Sequence, residues 1–326
     1  MTYFALRFDF RNPPIAGTTM AERYAAALDM VEWADGLGAV AITLSEHHGS
    51  DDGYLPSALT MAAAMAARTT TARLMIAAIV APLHDPLKLA EEAAVVDQIS
   101  GGRLDLCLTN GYVASEFDMF DRRLGDRAAL TTEAVETLRQ AFTGEPFEFR
   151  GRTVRITPTP AQFGGPKISL GGSSEPAARR AARIADGFMP SSAGIWDFYR
   201  DECLKLGKDD PGPHPGGSTD FVHLATDPDA GWETIAPFAM HEVNAYGAWM
   251  AEAGISATGG YVPVASAEEL RTTGQYRVIT PDQMVEELRA QGPFAFVALH
   301  PLMGGIPPEV AWESLHLFEH DVLPNV

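Results

Sequence analysis

The feature that most constrains this chain is a repeat of short, continuously apolar runs, each followed by residues with helical spacing. The runs are Tyr3 to Phe10, Val40 to Leu44, Arg73 to Val80, Leu104 to Thr109, Lys167 to Leu170, Gly187 to Pro190, Asp220 to Thr226 and Phe294 to His300. Helical patterns fill the intervals, at about Met20 to Leu37, Pro56 to Arg68, up to Ile99, Asp126 to Phe142, Pro176 to Ala185, Trp196 to Leu206, Trp232 to Ala253, Pro281 to Gln291 and Pro308 to His320. Strands that are apolar on both faces must be covered on both faces, which implies a parallel sheet clothed by helices. Eight such units predict closure into a (β/α)8 TIM barrel of the α/β class rather than an open sheet.

The punctuation agrees with this pattern. Thr18 or Thr19 can cap the first helix, Gly36 and Gly38 stop it, and Ser100-Gly101-Gly102 ends the third. No Gly-x-Gly-x-x-Gly follows the first strand, so a dinucleotide-binding sheet loses its main support. No domain boundary is visible, and residues 1–326 read as a single barrel domain. Residues 144–166, rich in Pro, Gly and Thr, form an excursion between strands four and five, and Lys208 to Gly217 read as a flexible connection. Gly254 to Thr280, flanked by glycine and placed before the last strand, is a candidate lid.

A net charge of −19 argues against nucleic-acid or anionic-membrane partners, which need clustered Lys and Arg. Two cysteines, Cys107 and Cys203, imply no disulfide framework, and a reducing cytoplasm is the expected compartment. The longest apolar run, Leu74 to Leu83, is about half the length of a bilayer span. The segment His316-Leu317-Phe318-Glu319-His320 matches a zinc pattern. It lies too near the end of the sequence for a later helix to add a third ligand, so it reads as an amphipathic helix and no metal is expected.

In strand-helix repeats the chemistry lies at the carboxyl ends of the strands. There the chain places Glu46, His47 and His48 after the second strand, Ala77 to Pro82 at the third, Asn110 and Tyr112 after the fourth, Ser173 and Ser174 after the fifth, Ser191 and Ser192 after the sixth, and His300 at the eighth. So few charges suit a large, partly apolar ligand held by a few hydrogen bonds. His47 can exchange protons near neutral pH, with its tautomer set by Glu46 or a backbone carbonyl. Gly171-Gly172-Ser173-Ser174 before Pro176 is a helix start with bare N–H groups, equally a good N-cap and a phosphate cradle.

Four blocks together resemble the bacterial-luciferase-like flavin-dependent monooxygenases. They are Ser45-Glu46-His47-His48; Ala77 to Pro86 with Leu89-Ala90-Glu91-Glu92 and Asp97 to Arg103; Asn110-Gly111-Tyr112 with Glu116-Phe117 and Phe120; and Gly171 to Ser174 with Ala185 to Phe188. The resemblance covers most of residues 1–190 and implies an eight-stranded barrel, a homodimer formed through helices that follow the early strands, and reduced FMN at the carboxyl rim. By the same resemblance, His47 is the catalytic histidine with Glu46 as its support. Ala77-Ala78 marks a non-prolyl cis peptide and bulge against the flavin ring, and Gly171, Gly172, Ser173 and Ser174 lie at its phosphate. Asn110 departs from the luciferase branch, which carries an arginine for the phosphate there; an amide supplies no charge, and Asn110 is expected to meet the flavin ring instead. Tyr112 and His300 are expected to line the substrate pocket.

The reaction implied is oxygenation of a small organic substrate by reduced FMN and dioxygen, with a separate flavin reductase as transient partner. The alternatives are hydride transfer with the deazaflavin coenzyme F420 on the same frame, and non-catalytic flavin binding.

Overall fold

The computed structural model describes residues 2–214, 221–255 and 261–326. Its strands are β1 (Tyr3–Phe8), β2 (Ala41–Leu44), β3 (Arg73–Val80), β4 (Leu104–Thr109), β5 (Phe147–Phe149), β6 (Arg152–Val154), β7 (Lys167–Gly172), β8 (Gly187–Pro190), β9 (Phe221–Leu224), β10 (Tyr276–Ile279) and β11 (Phe296–Leu299). The helices are α1 (Met20–Gly36), α2 (Ala58–Arg68), α3 (Pro86–Ser100), α4 (Ala114–Met119), α5 (Arg127–Ala141), α6 (Glu175–Ile184), α7 (Trp196–Lys205), α8 (Pro228–Glu252), α9 (Ala267–Thr272), α10 (Pro281–Gln291) and α11 (Pro308–Leu317).

Local chemistry explains where the helices begin and end. Thr19 and Glu22 form a reciprocal capping box at α1, and Thr280 and Gln283 form another at α10. Asp85 accepts the N–H groups of Leu87 and Lys88 to start α3, with Pro86 at its first position. Gly101, at φ 66°, stops that helix in the left-handed region, where a side chain would be strained.

Hydrogen bonding orders seven strands as β11-β1-β2-β3-β4-β7-β8. β9 and β10 form a parallel pair of their own, and β5 and β6 an antiparallel hairpin. The expectation of eight strands closing into one barrel is therefore met only in part: the parallel, helix-covered sheet is present, while a continuous eight-stranded ring is not part of the hydrogen-bonded pattern among the described residues. β10 is an additional strand. It lies inside the stretch expected as a lid, where its apolar Tyr276 and Leu270 of α9 are buried. The signal was missed because four residues carry too little periodicity. Parts of three expected features, the 208–217 connection, the start of the seventh strand at Asp220 and the 254–280 stretch, lie outside the described residues. The excursion before β7 contains the β5–β6 hairpin.

Two compact units emerge. The first comprises Met1–Thr43, His48–Pro56 and Gly217–Val326. Its core includes Phe4, Leu6, Phe8, Ile42 and Leu299, and Phe4 meets Phe318 edge-on at 5.1 Å. Within it the fully buried Arg23 of α1 donates to the carbonyls of Leu302, Gly305 and Ile306, so its charge is spread over backbone acceptors rather than left bare. His316 and His320 stack on one face with Trp312, while Glu319 accepts Trp33 Nε1 at 2.9 Å, so the zinc-like segment serves helix packing.

The second unit comprises Leu44–His47 and Ser57–Gly216. β3, β4, β7 and β8 pair in parallel, and Leu74, Ile76, Leu104, Leu106, Leu108, Ile168 and Leu170 are buried between sheet and helices. Both cysteines are free and buried, and burial pushes the Cys107 thiol up to about 12. No helix among the described residues is long and apolar enough to cross a membrane.

Candidate active site

β2 ends at Leu44, and the next residues of the second unit, Glu46 and His47, are turned inward and buried. His47 Nδ1 lies 2.8 Å from Glu116 Oε1. Glu116 is only 2% exposed on the short helix α4. Its neighbour Phe117 anchors that helix by packing against Val80 and Leu83. Glu116 is therefore a carboxylate hydrogen-bonded to the imidazole. A helix of six residues has no readable period, and its Glu116 carried no signal beyond the resemblance.

Glu46, beside His47 in the chain, also has partners of its own. Its Oε1 accepts the Val80 N–H at 3.3 Å and lies 2.9 Å from His84 Nε2. Burial by itself lowers the proton affinity of His84, but the hydrogen bond and charge of Glu46 outweigh it and raise the pKa above the ordinary histidine value. The Tyr112 ring stands edge-on to His47 at 6.0 Å, which brings this expected pocket residue to the histidine.

The Ala77–Ala78 peptide is cis, and the β3–β4 register shifts between Ala77 and Ile79, the bulge expected at that place. Gly111, at φ 71°, is required for close approach: a Cβ there would stand 2.6 Å from Val80 Cγ1. At the end of β7, a Cβ on Gly172 would stand 2.6 Å from the Ala177 Cβ, so only glycine lets α6 seat against the strand. Ser173 and Ser174 are exposed, and Ser174 caps α6 by position without a side-chain capping bond. Asn110 Oδ1 accepts Arg180 Nη2 at 2.9 Å, a partner the sequence reading did not name.

His300 belongs to the first unit, where it is buried with its Nε2 3.8 Å from Asp9 Oδ2. Its nitrogen, a carboxylate oxygen of Asp9 and one of Glu242 lie within 4.8 Å of one another, the donor set of a metal site. Burial, together with the positive charges of Arg7, Arg23 and Arg11, holds His300 well below the ordinary histidine pKa. Arg11 is stacked among Tyr54, Tyr246 and Trp249, each ring centre 4.7–4.8 Å from its guanidinium carbon, and donates to Asp52.

A parallel, helix-covered sheet thus carries a buried imidazole–carboxylate pair and a glycine-hydroxyl helix start at its strand ends. A family model described as luciferase-like monooxygenase matches residues 4–293, and the chain belongs to that family. The oxygenase component of the flavin-dependent trigonelline monooxygenase of Acinetobacter baylyi is 35% identical over 100 residues, covering 31% of this chain and 28% of that one. The F420-dependent glucose-6-phosphate dehydrogenase of Nocardia farcinica is 24% identical over 316 residues, covering 92% and 93%. The oxygenating constituent of 3,6-diketocamphane monooxygenase of Pseudomonas putida, solved with FMN, shares the fold with a TM-score of 0.73 at 18% identity over 99% of this chain and 98% of that chain. The curated relatives matched first are spanned over only 33%, 42% and 47% of their own length.

Proposed function

We propose that the chain is the oxygenase of a two-component system that uses reduced FMN and dioxygen to oxygenate a small organic substrate. The observation that carries the reading is the His47–Glu116 pair, an imidazole whose Nδ1 is held by a buried carboxylate. Such a pairing fixes the tautomer and directs proton exchange to Nε2, as acid–base work next to a bound ring requires.

The residues present fit an isoalloxazine cofactor with a phosphate tail. The glycines of β7 leave a bare strand end, Ser173 and Ser174 offer hydroxyls, and the Arg180 Nε is buried without an acceptor. Ala77 and Ala78, at the bulge of β3, would lie against the ring; Asn110 would hydrogen-bond it; Gly171, Gly172, Ser173 and Ser174 would hold the phosphate. When bound, reduced FMN supplies the electrons that activate dioxygen. His47 would hold or move the proton, Glu116 would orient it, and Glu46 would fix His84 and the Val80 amide at the end of β3. Tyr112 is the pocket residue beside His47, and His300 is kept as a pocket candidate of the first unit.

The trigonelline enzyme's description as an oxygenase component supports a separate flavin reductase as transient partner. The proposal keeps the expected homodimer, with α3, which exposes Val95 and Ile99, among the helices that would form it.

A second reading has equal support: hydride transfer with F420, favoured by the dehydrogenase relative that matches along 92% of the chain. Titrating the protein with FMN and with F420, each followed by fluorescence, separates the two. Oxygen consumption with reduced FMN over a panel of aldehydes, ketones and aromatics then tests the first. Equal millimolar binding of both cofactors would remove both readings.

A further inference from the structure

We infer that Arg180 is the cation that recognises the cofactor's phosphate, an inference that rests on the cofactor reading above. Helix α6 carries three arginines, and their surroundings differ. Arg179 pairs with Glu175 and Glu202, and Arg183 pairs with Glu202. Arg180 has no carboxylate partner among the described residues. In a chain with a net charge of −19, a partly buried guanidinium with no acidic partner among the described residues is a site suited to an anion.

Its contacts identify which anion. Arg180 Nη2 reaches across to Asn110 Oδ1 at the end of β4, a neutral acceptor that orients the fork without neutralising it. The Nε is buried with no acceptor among the described residues. Desolvation lowers the pKa of Arg180, as expected where no counter-charge offsets burial. The same helix begins after Ser174, whose side chain makes no capping bond, close to Gly172, which packs so tightly on Ala177 that no side chain fits between them. The geometry therefore assigns the charge that Asn110 cannot supply to an arginine brought in from α6.

Both candidate cofactors carry a phosphate on the ribityl side chain, so the test has two arms. Binding to the full chain is followed by fluorescence for FMN against riboflavin, and for F420 against its phosphate-free deazaflavin chromophore. The wild type is expected to prefer one phosphorylated form, and Arg180→Met to lose about 10- to 100-fold of that preference, as expected for one charge-assisted contact. A smaller loss shared by the phosphorylated and phosphate-free forms reads the release of Asn110, and a thermal melt at the wild-type temperature shows that the variant is folded. Arg180→Lys, which keeps the charge but not the fork, falls between. An Arg180→Met variant that keeps the wild-type preference overturns the inference while leaving the cofactor reading intact. A wild type that binds neither ring system overturns the cofactor reading, and this inference with it.

Discussion

Glu116 Oε1 sits 2.8 Å from Nδ1 of His47, although 69 residues separate the two in the chain. The pair makes a direct prediction. His47→Ala is expected to lower kcat by about 10²- to 10⁴-fold, the usual contribution of a positioned acid–base group. Glu116→Gln keeps a hydrogen-bond acceptor but loses the charge, and is expected to lower kcat less and to shift the pH–rate profile. Full turnover in His47→Ala, measured with the reconstituted cofactor, would end the acid–base assignment.

Asp52 joins His241 and the buried Arg11 in the first unit. Burial alone would raise its pKa, but the hydrogen bond from His241 and the charge of Arg11 hold it far below the ordinary carboxylate value. A depressed carboxylate stabilises the fold above its unfolded pKa of about 4, and that contribution fades as pH falls towards the folded value. Asp52→Asn leaves Asp9 as the carboxylate facing Arg11 and is expected to cost about 1–3 kcal/mol in urea unfolding at pH 7.

Glu242 behaves in the opposite sense. Burial, reinforced by nearby Asp9, raises its pKa to about 7 despite the arginines and the hydrogen bond from Tyr276. Between about pH 4.5 and 7 the folded state holds a proton that the unfolded state has released, so stability falls as pH rises across that window. Glu242→Gln is expected to flatten this slope. Unfolding free energies at pH 5 and pH 8 that differ as much in the variant as in the wild type would contradict the assignment.

Gly111 adopts φ 71° beneath the Asn110–Tyr112 turn, where an added Cβ would meet Val80 at 2.6 Å and Phe117 at 3.0 Å. Gly111→Ala combines backbone strain with overpacking and is expected to lose about 1–3 kcal/mol. Because Phe117 neighbours Glu116, cofactor affinity should fall with it. A thermal melt and a cofactor titration on the same preparation check both effects.

Much of the frame is legible in the amino-acid pattern. The apolar runs at Arg73–Val80 and Leu104–Thr109 appear as β3 and β4 with the same bounds, and Gly101 stops α3 where glycine was expected to. The cis bond at Ala77–Ala78 came through resemblance rather than through any property of alanine. Four-residue β10 and six-residue α4 escaped because neither spans enough turns or pleats to show a period.

Periodicity, capping and turn chemistry act within a few residues, so a linear reading captures which segments become strands and helices and which groups stand at strand ends. Partnership between side chains depends instead on which strands lie side by side and how far each helix rides over them. That is why the pairing of His47 with Glu116 has no linear signal, and why the cation beside Asn110 comes from α6: each pair is joined only after packing brings together segments about seventy residues apart.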